Sequence, residues 1–177
     1  TAIATTGHTG FASVGASIDS NLFFGIKDNG DLWSAGLSGW PSGFQDTGLK
    51  EVVKVSSGQS YVAALKSDGT VWMTGSNTYG QLGLGDTSNR AEFVQAPIEG
   101  VVDIAAGGMH MVVIKGDGSL WTAGMSMYGE LGTGVAGSSQ TPSFADTGLT
   151  NVSKVGAGLG ITLAVKDDGT VWGAGSG

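Results

Sequence analysis

Four segments of the chain carry one pattern, and it limits the fold more than any other feature: Lys27-Asp-Asn-Gly-Asp-Leu-Trp33, Lys66-Ser-Asp-Gly-Thr-Val-Trp72, Lys115-Gly-Asp-Gly-Ser-Leu-Trp121 and Lys166-Asp-Asp-Gly-Thr-Val-Trp172. Each runs through two more residues to a glycine, Gly36, Gly75, Gly124 and Gly175. The tryptophans are spaced by 39, 49 and 51 residues. That spacing matches the roughly 40 to 50 residues of one four-stranded propeller blade. A period of this size marks stacked copies of one supersecondary unit, none of which can bury its apolar surface alone.

The local pattern is that of β structure. Asn29-Gly30, Asp68-Gly69, Asp117-Gly118 and Asp168-Gly169 stand between apolar runs. They predict a tight two-residue hairpin of type I′ in each copy, with positive φ at both turn residues. Upstream lies a strand such as Tyr61-Val-Ala-Ala-Leu-Lys66, apolar on both faces, as expected of a sheet held between two neighbours. An earlier strand precedes it in each copy, at Phe11–Val14, Val52–Val55, Val101–Ile104 and Val152–Val155. Before these comes another, Phe44-Gln-Asp-Thr-Gly48 and Phe144-Ala-Asp-Thr-Gly148. The stretch from Ile3-Ala-Thr-Thr-Gly7 to Val14 overlays Phe144 to Val155 position for position. The chain therefore divides into repeats at about 3–43, 44–93, 94–143 and 144–177 within a single domain, 1–177. No segment of helical length has a 3.6-residue apolar period, so the expected class is all-β.

Two of the copies continue in a distinctive way. One reads Val55-Ser-Ser-Gly-Gln-Ser-Tyr61 and then Gly75-Ser-Asn-Thr-Tyr-Gly-Gln-Leu-Gly83. The next reads Ile104-Ala-Ala-Gly-Gly-Met-His110 and then Gly124-Met-Ser-Met-Tyr-Gly-Glu-Leu-Gly132. This pattern resembles the regulator of chromosome condensation (alpha-tubulin suppressor-like) repeat, with its central histidine at His110. The resemblance implies a β-propeller of four-stranded antiparallel blades and by itself no activity. Propellers of that family usually close with seven blades, whereas four repeats are present here. The first copy has Trp40-Pro-Ser-Gly43 in place of the Tyr-Gly-Gln-Leu-Gly loop, and the last stops at Gly177, two residues before its loop aromatic. Four blades close alone, with Ile3–Thr6 completing the last one, or the ring is completed by chain association, since bare strand edges invite pairing. Association is the preferred expectation.

Fifteen acidic residues against eight basic ones, for a net charge of −7 with no basic cluster, disfavour duplex nucleic acid and anionic membrane as partners. No apolar run approaches the roughly 18 residues of a membrane span, so no membrane insertion is expected. Cysteine is absent, which removes disulfides, thiolate metal sites and a cysteine nucleophile. The repeated Trp33, Trp72, Trp121 and Trp172 read as core packing between blades rather than as ligand platforms. Trp40, Tyr79 and Tyr128 each follow a strand-ending glycine by four residues and should share one rim. Together with Met125, Met127, Asp86 and Arg90 they are the candidate partner or glycan contacts. His110 aligns with Leu22, Tyr61 and Ile161, which reads as a core histidine with satisfied hydrogen bonds.

No nucleophile stands at a recognisable spacing from His8 or His110. The Asp-Gly pairs are explained by turns and lack calcium-loop spacing. Gly156-Ala-Gly158-Leu-Gly160 leads into a strand without a Walker lysine. These residues point to no enzyme, no cofactor and no metal. The expected role is a non-catalytic interaction or assembly module that binds protein as a homo-oligomer or larger assembly. Its low charge and abundant Gly, Ser and Thr suit a virion (a bacteriophage capsid or tail) or an extracellular surface. The alternative is a carbohydrate-binding adhesin or lectin using the rim aromatics. Guanine-nucleotide exchange with chromatin contact is attached only to the family name, and the acidic surface speaks against it.

Overall fold

The computed structural model describes residues 9–16, 23–35, 44–134, 137 and 139–176; the expectations for Trp40, His8, Leu22 and Ile3–Thr6 fall outside them. Among the described residues, fifteen strands form four antiparallel sheets, the blades of the propeller. Blade 1 is β1 (Phe11–Ala16), β2 (Phe23–Lys27), β3 (Leu32–Ala35) and β4 (Gln45–Asp46), in that spatial order. Blade 2 is β5 (Val52–Ser57), β6 (Tyr61–Lys66), β7 (Val71–Gly75) and β8 (Arg90–Gln95). Blade 3 is β9 (Val101–Ala106), β10 (His110–Lys115), β11 (Leu120–Ser126) and β12 (Ser139–Asp146). Blade 4 has three strands among the described residues, β13 (Val152–Ala157), β14 (Ile161–Lys166) and β15 (Val171–Gly175). There is no helix among the described residues. Phe44 and Phe144 open repeats in the sequence, yet the residues that follow them, 45–46 and 145–146, pair in the fourth strands of the preceding sheets.

The hairpin turn differs from its expected type. Gly30, Gly69, Gly118 and Gly169 have φ of 79 to 83°, but Asn29, Asp68, Asp117 and Asp168 are not in the positive-φ region. The Gly69 amide donates to Lys66 O and the Lys66 amide to Thr70 O, with the same pair of bonds in the other copies. This is a three-residue loop, a type I turn closed by a left-handed glycine. The acidic or amide residue is used through its side chain. Oδ1 of Asn29, Asp68, Asp117 and Asp168 accepts the amide two residues on. That local bond stabilises the turn without positive φ.

Both faces of the inner sheets are buried, and the alternation of side chains decides which neighbour each face meets. Phe24, Ile26 and Leu32 of blade 1 pack on Val52, Val62 and Ala64 of blade 2. The opposite face of blade 2, Tyr61, Ala63, Leu65, Val71 and Met73, packs on Val101, Ile104, Met111 and Val113 of blade 3. Val112, Ile114 and Leu120 then pack on Val152 and Ala164 of blade 4. Polar ties span the same junctions. Lys54 Nζ pairs with Asp103 Oδ1, and Ser56 Oγ accepts the Ala106 amide.

The second-strand position that starts Tyr61 and His110 carries the most buried ties. The Tyr61 hydroxyl donates to the carbonyls of Gly107 and His110, across the junction between blades 2 and 3. Its burial pushes the phenol pKa up, so the group stays a donor. At the next junction His110 Nε2 lies 3.0 Å from Thr162 Oγ1. The Thr162 hydroxyl donates to Glu130 O at 2.7 Å, which leaves its oxygen to accept and places the imidazole proton on Nε2. Nδ1 is buried with no hydrogen-bond partner, so only one of the two ring nitrogens is satisfied. Gly58 and Gly107 make room for these rings, since a Cβ at either would collide with Tyr61 or His110.

Two expectations follow. Tyr61→Phe leaves the buried Gly107 carbonyl without its donor and should lower the unfolding free energy by about 1 to 3 kcal/mol. A urea midpoint equal to that of the parent chain would contradict the junction tie. Burial lowers the His110 pKa from 6.5 to about 4, partly opposed by Glu130. Between those values the unfolded chain holds more protons than the folded one, so stability falls as pH falls through that window and is unaffected by His110 above it. From pH 7 to pH 5 the expected loss is about 2 kcal/mol, absent in His110→Phe. The same loss in that variant would rule His110 out as its source.

Candidate functional site

The repeated segment is occupied with itself. Trp72 Nε1 donates to Thr70 Oγ1, whose hydroxyl donates to Asp68 Oδ1 at 2.6 Å. Trp121–Ser119–Asp117 and Trp172–Thr170–Asp168 repeat the relay. The hydroxyl and then the backbone amide of residue 70, 119 or 170 hold these three carboxyls below the usual aspartate range. Lys27, Lys115 and Lys166 place their ammonium groups 4.0, 5.2 and 5.4 Å from the Trp33, Trp121 and Trp172 rings. Lys66 turns instead to Glu51 and Asp68. Trp72 and Trp121 are half-buried at the margins of the junction clusters, while Trp172 is 52% exposed. No group of three potential metal-ligating side chains occurs among the described residues.

The loop candidates fall into two groups. Asp86 and Arg90 bind each other, Oδ2 to Nη2 at 2.6 Å, and Arg90 first and the Ser88 amide second hold the Asp86 carboxyl pKa down. Buried Asn77 bridges to Asp86 and to the Leu82 amide, so this loop is closed by its own polar groups. Tyr79 is half-buried, with its amide on Gln81 Oε1. In the following copy Glu130 is buried and accepts the Met127 and Tyr128 amides. Met125 is half-buried, Met127 and Tyr128 are exposed, and the Tyr128 ring lies over Gly160 of blade 4. His110 is enclosed in a blade junction, wholly buried.

The largest departure from a satisfied surface lies at the two ends of the blade series. On blade 4, Ile161, Leu163 and Val171 are 38%, 49% and 66% exposed, whereas Tyr61, Ala63 and Val71 at the same positions of blade 2 are each 0% exposed. On blade 1, Phe11, Val14, Phe23 and Phe44 line a hollow to which, among the described residues, that blade alone contributes. Phe11 sits edge-on to Trp33 and Phe44, at 6.3 and 5.5 Å between ring centroids. Phe23 is 51% and Val14 77% exposed. Each end thus presents one half of the junction that is closed between inner blades. These residues are absent from the sequence-derived candidates because each strand looks like a core strand. The available signal was the count of four repeats against a larger ring.

Comparison with known proteins fits this architecture. The Regulator of chromosome condensation (RCC1) repeat matches residues 68–114, and a second model of the same description matches 52–81. A search of curated proteins gives no match. Among solved structures, yeast RCC1 (Prp20) bound to Kap60 is 20% identical and superposes with a TM-score of 0.81 over 98% of this chain and 45% of that one. A structure of Prp20p from Saccharomyces cerevisiae, described with its binding to Gsp1p and histones, gives 20%, 0.79, 93% and 45%. Human WBSCR16 gives 21%, 0.77, 88% and 45%. The chain therefore spans about half the length of the propellers it resembles. With residues 52–114 matched by the repeat models and four sheets that superpose on propellers of this kind, the chain has the fold of an RCC1-like β-propeller, its described residues forming four blades.

Proposed function

We propose that the chain is a non-catalytic interaction and assembly module that engages protein through the uncovered outer faces of blades 1 and 4. The exposure of Leu163 and Val171 carries this reading, since their counterparts in blade 2 are wholly or almost wholly buried. Clustered exposed apolar side chains of this kind mark association surfaces on soluble proteins. Structural relatives support the class of role, since yeast RCC1 was solved with Kap60 and Prp20p was described with Gsp1p and histones. Those partners belong to the relatives. The setting we propose is a virion or extracellular surface, on composition alone.

The test is cross-linking with mass spectrometry on the assembled protein in its source. Lys27 lies over Phe11 and Trp33 at one end, and Lys166 lies over Trp172 at the other. Cross-links to partner protein should concentrate on these two lysines. They should be lost in Leu163→Asp with Val171→Asp, whose stability should stay within about 0.5 kcal/mol because both side chains are already exposed. Cross-links confined to the loops around Arg90 or Tyr128, or binding unchanged in the variant, would overturn the end-face reading.

A further inference from the structure

Among the described residues, Lys154 is the one basic side chain with neither a carboxylate nor an aromatic ring beside it; every other one is engaged, as Lys50 is with Asp46 and Lys166 with Trp172. It is exposed on β13. Strand register fixes where it stands. Lys154 pairs with Val165, Lys54 with Leu65, Asp103 with Ile114 and Ser13 with Ile26, in each case the residue before the blade lysine, so these four occupy one position of the repeat. Directly opposed residues of paired strands share a sheet face. Leu65 belongs to the face of blade 2 that packs on blade 3. In blade 4, Ala164 packs on blade 3, so Val165, and with it Lys154, lies on the opposite face, beside exposed Ile161 and Leu163.

The same position is put to use between blades 2 and 3. Lys54 Nζ reaches Asp103 Oδ1 of the following blade, and that oxygen also accepts the Ile104 amide at 2.9 Å, which holds the carboxylate in place. Around this ion pair Tyr61, Ala63 and Val71 pack on Ile104, Met111 and Val113. A backbone tie accompanies it. The Gln59 amide donates to Gly108 O of blade 3, and the Gly108 amide to Gly158 O of blade 4, each at 3.0 Å. Leu159 aligns with Gln59 and Gly108 and is the next amide of that series. Blade 4 therefore presents outward the set that blade 2 presents to blade 3: a lysine on the first strand, an aliphatic row on the next two, and a loop amide.

The charge decides what can cover such a face. Burying an ammonium without a counter-charge is strongly unfavourable, so a covering surface has to bring an acceptor. In blade 3 that acceptor is the carboxylate directly before Ile104. Blade 1 carries Ser13 at the Asp103 position. A second copy can thus cover the aliphatic part of the face but brings no carboxylate to Lys154 from that position. Resting on the end-face reading above, we infer that the matched occupant of the outer face of blade 4 is a different protein, which presents a β-sheet face where an Asp or Glu followed by an aliphatic residue meets Lys154 as Asp103 meets Lys54. Aliphatic side chains of that sheet cover Ile161, Leu163 and Val171, and one of its loop carbonyls accepts the Leu159 amide. The aliphatic contact supplies affinity. The ion pair selects partner and register, since a neutral or basic residue there would leave the ammonium buried alone.

The test is zero-length cross-linking of the assembled protein in its source with a water-soluble carbodiimide, which joins an amine to a carboxylate only where the two touch. An amide between Lys54 and Asp103 within the chain is the internal standard. Lys154 should be joined to an Asp or Glu of another protein with a yield similar to the standard, and the residue after that acid should be aliphatic. In Lys154→Glu the cross-links from Lys166 to partner protein should fall about tenfold or more, whereas Lys154→Arg should keep them, because a guanidinium also pairs with a carboxylate. Joining of Lys54 to Asp103 in both variants reports an intact fold. The inference is overturned if Lys154 stays unjoined while the standard forms, if it is joined only to a second copy, or if the Lys166 cross-links persist in Lys154→Glu. Where Lys166 still cross-links to a different protein in those cases, the end-face reading stands and the carboxylate alone is lost; where neither Lys27 nor Lys166 cross-links to any protein, both fall.

Discussion

The fold depends on the burial of one sheet's face against the next. Side chains in a strand alternate between faces, so each inner blade is apolar on both sides and neither side is satisfied within the blade. Tyr61, Ala63 and Leu65 belong to one junction, and Val62 and Ala64 to another, although they are successive residues of one strand. Stability is then a sum over junctions between neighbours, as in other repeat proteins. It follows that the end blades carry a face that the arc itself cannot bury. The exposed Leu163 and Val171 are the same physical element as buried Ala63 and Val71, seen without its neighbour.

Around this apolar stack the polar groups act locally, with a few exceptions that cross junctions. The Trp–Thr–Asp relay spans five residues and satisfies the indole, the hydroxyl and the turn amide together. It explains why an acidic residue, a glycine, a hydroxyl residue and a tryptophan recur at fixed offsets in the last three copies, the first having Asn29 and Asp31 instead of the acid and the hydroxyl. By contrast, the Tyr61 hydroxyl and the His110–Thr162–Glu130 chain bind one blade to the next and fix their spacing. A buried imidazole with one unpaired nitrogen stays uncharged, which ties that junction to pH.

Much of the fold was legible in the sequence because its determinants are local. Alternation gave the strands, glycine after Asp or Asn gave the hairpins, and the tryptophan period gave the blade. The turn subtype was not legible, because Asp-Gly serves equally in a two-residue loop and in a type I turn with a left-handed glycine; the hydrogen bond from Thr70 N to Asp68 decides it. Trp72 and Trp121 sit at the margins of the junctions because the indole N–H must reach a hydroxyl at the sheet edge, and Trp172, with the same bond, is half exposed because its blade ends the series. Asp86 and Arg90 looked available as contacts but neutralise each other four residues apart. The end faces were hidden for a simple reason. Ile161 and Leu163 have the sequence character of core residues, and only their position in the series exposes them.

The central claim, that blades 1 and 4 each hold an unfilled junction, is tested most directly by amide hydrogen exchange at several protein concentrations. Exchange reports local opening, which should be easiest where a strand has a partner on one side only. In dilute solution β15 and the outer strands of blade 1 should exchange faster than β6 and β10, and their protection should rise with concentration while that of β6 and β10 stays constant. Uniform protection across all four blades, independent of concentration, would mean that the ends are already closed within one chain.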